Sequence, residues 1–256
     1  MKKPILKIMS LSKTYKKNII ALSDFNFFLN SGTIYGLLGP NGAGKSTVIN
    51  ILANVVKRDS GQIYIFDEEI TESSFEYKSL CGFLLDRPVY IEKLSVFEYL
   101  EFAGRMYKLS KEQINKRIPE LINIFELRLK KDSWIENCSK GMKKKISLAT
   151  ALLHNPRLLI LDEPFSDLDL IALRQLKDIL KKVRKSGKTI LIASHNIREL
   201  ENVCDDFGIL REGKLLLQKS AEDICKEIGR YNLKSFENYV YQYIDKKHFE
   251  DSLSWL

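Results

Sequence analysis

An α/β fold built on a buried parallel sheet is predicted by three short stretches of this 256-residue chain. The first is an apolar run, 34–38, that passes through Gly39-Pro40-Asn41-Gly42-Ala43-Gly44-Lys45-Ser46-Thr47 into a second apolar run, 48–56. The second is Leu158-Leu159-Ile160-Leu161, which ends in the carboxylate pair Asp162-Glu163. The third is the apolar run 189–193, which ends at Ser194-His195. Uninterrupted apolar runs of this length read as strands covered on both faces, the condition of a parallel sheet. Polar residues at the C-terminal ends of such strands gather where open α/β sheets hold their ligands.

Each element follows in turn. Residues 5–38 alternate loosely and are rich in Ile, Phe and Tyr, so they read as strands broken by a polar turn at 15–18. The glycine-rich stretch fits G-x-x-x-x-G-K-[ST] between a strand and a helix, which makes it a phosphate-binding loop. Its glycines let the backbone curl, its N–H groups point inward, and the helix dipole adds positive potential. Asn41, Gly42, Ala43, Gly44, Lys45, Ser46 and Thr47 are therefore expected to cradle the phosphates of a nucleoside triphosphate. Lys45 would reach the β- and γ-phosphates, and the Ser46 hydroxyl would ligate Mg²⁺. Short strands are expected at 62–66 and 80–85.

From about 88 the pattern turns helical. Ser95 and Glu98 form a capping box ahead of Val96, Tyr99, Leu100, Ala103 and Met106, which recur at helical spacing. Ser110 starts a second helix with the stripe Ile114, Ile118, Leu121, Ile122 and Phe125. A third runs from Ser139 to Leu153. The strand at 158–161 then delivers Asp162, expected to hold the Mg²⁺ shell, and Glu163, placed to polarise an attacking water as general base. Leu173, Leu176, Ile179, Leu180 and Val183 give an amphipathic helix ending at Gly187. The strand at 189–193 and two short strands near 207–217, with Gly213 in the turn, complete the pattern. In the tail, Phe236, Tyr239, Val240 and Tyr243 sit at helical spacing and suggest a helix that docks on the domain or on a partner.

Read in order over residues 5–217, these markers resemble the nucleotide-binding subunit of an ABC transporter. Cys138-Ser139-Lys140-Gly141-Met142 stands where that family carries its signature, Ser166-Asp167-Leu168-Asp169 resembles its D-loop, and Ser194-His195 its switch histidine. The resemblance implies a P-loop NTPase (RecA-like) core over 1–218, with an antiparallel β-subdomain and a helical subdomain inserted at about 88–157. Residues 219–256 form a tail outside the family's motifs. It implies that Tyr15 stacks on the adenine of ATP and that His195 contacts the γ-phosphate. Ser139 and Gly141 would serve ATP held by a second ABC ATPase domain, either another copy or a paralogue. ATP would join the two, and hydrolysis would release them. The helical block would face a transmembrane permease subunit.

Two positions depart from the family's usual residues. Asp86 stands where a glutamine is common; a carboxylate accepts hydrogen bonds but cannot donate them. It could approach Mg²⁺ through water, or be a charged loop residue with no part in the chemistry. Lys140 replaces a signature glycine, and with Lys143, Lys144 and Lys145 it makes the helix start basic. At 100° per residue these lysines spread around the helix, so at least three are expected in solvent. Asp86 and the S-K-G-M signature together resemble export-type (ABC-2-like) members.

Composition narrows the alternatives. Hydrophobic content of 45% and charged content of 29% are ordinary for a globular protein. No uninterrupted apolar stretch is long enough to span a bilayer, and Lys7 and Lys13 break any signal-like start. The expected location is cytoplasmic, on the inner face of the membrane through a partner. Four widely spaced cysteines predict neither a disulfide framework nor a metal site. The net charge of +8 is dispersed, which fits an anionic membrane surface or acidic partners, or simple solubility, and no nucleic acid is expected as a partner. Two rival readings keep the nucleotide chemistry: an ATPase acting on ribosomes or DNA, and a regulatory module that binds nucleotide without hydrolysing it.

Overall fold

The computed structural model describes residues 4–229 and 233–244. Strands β1 (Pro4–Tyr15) and β2 (Ile19–Asn30) form a long hairpin across the expected turn, and β3 (Ile34–Leu38) leads through the glycine-rich loop into α1 (Lys45–Leu52). The short strands β4 (Ser60–Ile65), β5 (Glu68–Glu69) and β6 (Cys81–Leu84) follow. The helical insertion comprises α2 (Val96–Met106), α3 (Lys111–Ile124) and α4 (Lys140–Leu153). The chain then returns to α/β with β7 (Leu158–Asp162), α5 (Leu170–Lys185), β8 (Thr189–Ser194) and α6 (Ile197–Leu200). It closes with β9 (Asp206–Arg211), β10 (Lys214–Ser220), α7 (Ala221–Ile228) and α8 (Leu233–Ile244).

Two sheets organise these elements. One is antiparallel, in the order β2-β1-β4-β5; the other has the order β10-β9-β3-β8-β7-β6. In the second, all neighbouring pairs are parallel except the edge pair β9–β10. Every residue of β3, β7 and β8 is buried, as uninterrupted apolar runs require. Strand alternation divides them between two cores. Leu159, Leu161, Ile190 and Ile192 pack with the helical insertion, whereas Leu158, Ile160, Leu191 and Ala193 pack with α1 and the antiparallel sheet. The parallel sheet therefore separates a helical layer from a β-rich layer. Lys45, Glu163 and His195 all follow C-terminal ends of its strands.

The insertion forms as its caps dictate. Ser95 accepts from the Glu98 N–H while Glu98 accepts from the Ser95 N–H, and Ser110 and Gln113 make the same reciprocal pair. Val96, Leu100 and Ala103 are buried as expected, but Met106 is 67% exposed. Tyr107 takes the inward position instead, stacking on His154 at 3.7 Å between ring centroids. The lysine expectation also needs correction. Lys140 is exposed, but Lys143 lies over the Tyr90 ring and Lys145 sits 3.6 Å from Glu126, both half-buried, and Lys144 is buried.

The tail docks on its own domain. Strand β10 runs through residue 218, and Phe236 of α8 is buried against Phe207 of β9, with ring centroids 4.8 Å apart. The remainder of the expected tail, 245–256, lies outside the described residues. Among the described residues no helix is long and apolar enough to cross a membrane.

His154 couples this packing to pH. Its Nε2 sits 3.0 Å from the Cys81 carbonyl oxygen, which fixes that nitrogen as the donor of the neutral ring, and burial lowers the pKa from 6.5 to about 4. Below pH 6.5 the unfolded chain takes up this proton and the folded chain does not, so stability falls as pH drops from 6.5 towards 4. The loss should approach about 2 kcal/mol, discounted from 1.36 kcal/mol per unit because the ring is not fully enclosed. Denaturant midpoints of His154→Phe, measured over that range, should show a correspondingly shallower decline.

Candidate functional site

The glycine-rich loop is built around a backbone that side chains would obstruct. Gly44 has φ +110°, and a Cβ there would lie 2.5 Å from the Ala21 carbonyl oxygen. Helix α1 begins immediately after it without a side-chain cap or an acidic residue in its first turn. By contrast, Ser95, Ser110, Ser139, Asp169 and Ser220 cap α2, α3, α4, α5 and α7. The first N–H groups of α1 are thus left for an anion.

These groups open onto a cavity of about 340 Å³. Tyr15, Asn41, Gly42, Ala43, Gly44, Lys45, Ser46, Thr47, Asp86 and Glu163 all line it. The structure thus gathers most of the expected residues from β1, the loop, the end of β6 and the end of β7. Tyr15 is 38% exposed at its mouth, and its Oη lies 3.5 Å from Thr47 Oγ1. Beside it stand Ile19 and Ile20, both exposed. Consecutive isoleucines directly after the polar turn at 15–18 were the signal available for an apolar cavity wall.

Lys45 is buried, and its Nζ donates to the carbonyls of Gly39 at 2.7 Å and Pro40 at 3.2 Å. It also lies 3.9 Å from Glu163 Oε1. Burial lowers its pKa, while the charges of Glu163 and Asp162 oppose that shift. Asp162 is almost fully buried, and burial raises its pKa to about 6; a hydrogen bond from Ser46 acts the other way. Its Oδ1 has no hydrogen-bond partner. A hydroxyl, a buried carboxylate with an unpaired oxygen, and Asp86 on the same cavity form an oxygen donor set suited to a hard divalent cation.

Glu163 is held on both sides. Its backbone is left-handed, with φ +45°, which is uncommon for a side-chain-bearing residue. Its carbonyl accepts from Lys144 Nζ at 3.0 Å and Ser166 Oγ at 2.9 Å. Its carboxylate Oε1 accepts from the His195 N–H at 3.0 Å and lies 2.9 Å from His195 Nδ1. Its Oε2 lies 3.1 Å from the fully buried Ser194 hydroxyl. His195 is not among the residues lining the cavity; its half-exposed ring lies beside the Glu163 carboxylate. With Nδ1–H donated to Glu163, Nε2 is the nitrogen left to face a ligand.

Ser139 and Gly141 stand apart from this cavity. Ser139 is exposed and accepts from the Met142 N–H at 3.3 Å, capping α4. A Cβ on Gly141 would come within 2.7 Å of the Asp167 carbonyl oxygen, so its missing side chain also lets α4 approach the 166–169 loop.

Sequence reasoning missed Lys144, Ser194 as a hydrogen-bonding group, and Glu199. Lys144 shares a helical stripe with Ser147, Leu148 and Ala151, all buried, and this spacing marks an inward face. Burial lowers its pKa against the charges of Asp167, Asp86, Asp162 and Glu163. Asn196 and Glu199 have capping-box spacing, a local signal for the turn after β8.

Comparisons with known proteins agree with this geometry. The ABC transporter family profile matches residues 22–166. The lantibiotic transport ATP-binding protein SrtF of Streptococcus pyogenes is 34% identical over 215 residues, covering 84% of this chain and 90% of that protein. A solved ATP-binding subunit of an ABC transporter superposes with a TM-score of 0.83 at 30% identity, covering 92% of this chain and 99% of that one. A dimeric ATP-binding cassette in a post-hydrolysis state, bound to ADP and Pi, has a TM-score of 0.76 at 26% identity, covering 84% and 98%.

Proposed function

The chain belongs to the ABC transporter family of ATP-binding proteins, and from that premise we propose that it powers an export-type membrane transporter as one half of an ATP-joined dimer. It is an ATPase. The observation that carries its mechanism is the placement of Glu163, whose carboxylate is fixed by His195 and lies 3.9 Å from Lys45 at the cavity wall.

On this reading Tyr15 stacks on adenine, and the N–H groups of 41–47 hold the phosphates at the α1 N-terminus. Lys45 exchanges its loop carbonyls for phosphate oxygens, countering negative charge with a cation already immobilised. Ser46, Asp162 and Asp86 would hold Mg²⁺, which when bound neutralises charge on the phosphates. Glu163 accepts a proton as water attacks the γ-phosphorus; the γ-phosphorus–oxygen bond breaks, ADP leaves with that electron pair, and Glu163 later releases the proton to solvent. His195 orients Glu163 through Nδ1 and presents Nε2 towards the γ-phosphate.

Ser139 and Gly141 do not line the cavity, so their proposed ligand is the nucleotide of a facing domain. This is why one chain does not complete a site. The S-K-G-M signature, Asp86 and the similarity to a lantibiotic transport protein support export over uptake. Tagged Glu163→Gln protein recovered with ATP from native cells should bring a polytopic membrane protein with it in the membrane fraction. Recovery of ribosomes or DNA instead would reject the transporter assignment and leave the ATP chemistry standing.

A further inference from the structure

We propose that Glu199 is a positioning residue for hydrolysis: it holds the Ser194 hydroxyl proton away from Glu163 and so keeps Glu163 Oε2 open to the attacking water. The inference rests on Glu163 being the water-activating base. Its physical content is a competition for one proton.

Ser194 ends β8, is fully buried, and its hydroxyl stands between two carboxylates. The Oγ lies 2.8 Å from Glu199 Oε2 and 3.1 Å from Glu163 Oε2. It also accepts from the Asn196 N–H at 3.1 Å. A serine hydroxyl has one proton to donate, so it can satisfy only one of the two carboxylates at a time. The shorter contact is to Glu199. With the proton there, Glu163 retains its two donors on Oε1, both from His195, and its Oε2 lone pair faces no donated proton from Ser194.

Glu199 is well anchored for this task. Its Oε1 accepts from Asn196 Nδ2 at 3.2 Å, and the same amide's Oδ1 accepts from the Arg198 N–H at 3.1 Å. Lys177 donates to the Arg198 carbonyl at 3.2 Å, close enough for its charge to interact with Glu199. From α8, Glu237 pairs with Arg198 Nε at 2.8 Å, so the turn is braced from two further helices. Without the Glu199 charge, the Ser194 proton has a single carboxylate to bind, and that is Glu163. A hydrogen bond to a charged group then has to be broken before Glu163 Oε2 can accept from water.

The test is steady-state hydrolysis by the full chain of Glu199→Gln, which keeps the side-chain shape and removes the charge. The expected result is a kcat lower by about tenfold, with KM for ATP and ATP affinity unchanged, because Glu199 does not line the nucleotide cavity. The double variant Ser194→Ala/Glu199→Gln removes the misdirected donor as well, and should turn over several-fold faster than Glu199→Gln alone. A purely structural role predicts the opposite order, since the second substitution adds a further loss. Wild-type turnover by Glu199→Gln, or a double variant no faster than the single, overturns the proposal. Glu163→Gln run beside them separates the two readings. If that variant hydrolyses normally the base assignment fails, and if it alone is inactive only the role of Glu199 fails.

Discussion

Glu163→Gln should lower ATP turnover by about 100-fold or more, the range that a positioned general base contributes, while leaving ATP binding intact. The amide has the shape of the carboxylate but cannot take the proton of an attacking water. Its oxygen can still accept from the His195 N–H, which the carboxylate accepts at 3.0 Å, so the local fold is retained. The left-handed backbone of Glu163, its carbonyl bonds to Lys144 and Ser166, and the strand β7 that delivers it are all independent of the charge. A phosphate-release assay at saturating ATP checks this directly. Turnover at the wild-type rate would remove Glu163 as the base.

Lys45→Ala should weaken ATP binding by about 2 kcal/mol, roughly a thirtyfold rise in Kd, the scale of one lost hydrogen bond to a charged group. The ammonium is buried and already directed into the loop by two carbonyl oxygens, so its ordering entropy is met before nucleotide arrives. Truncation also removes a cation that interacts with Glu163 and Asp162, and adds their repulsion to that of the phosphates. Titration with a fluorescent ATP analogue measures the loss. Unchanged affinity would reject the phosphate-loop assignment.

Much of this architecture was legible because local chemistry and burial agreed. The runs 34–38, 158–161 and 189–193 had to be covered on both faces, and they became the central strands β3, β7 and β8. The capping box at Ser95 and the helix start at Ser110 formed as read. The 39–47 loop, Asp86 and Glu163 located the cavity wall, since they follow β3, β6 and β7 of the same parallel sheet. What escaped were contacts that no local pattern specifies. Lys144 looked like one of four solvated lysines, yet its position on the stripe with Leu148 and Ala151 carried it under Glu163. Met106 fitted the apolar spacing of α2, but Tyr107 and His154 filled that space through a stack between distant elements. Ser194 and Glu199 become informative only once β7 and β8 lie side by side and bring Glu163 within reach.

On the proposed function, two chains share ATP between the cavity of one and Ser139 and Gly141 of the other. The most direct test is the light-scattering mass of Glu163→Gln eluting from a sizing column with ATP and Mg²⁺, and again with ADP. A species of about twice the 29.6 kDa chain mass is expected with ATP and a single chain with ADP. A single chain under both conditions, with ATP demonstrably bound, would contradict it.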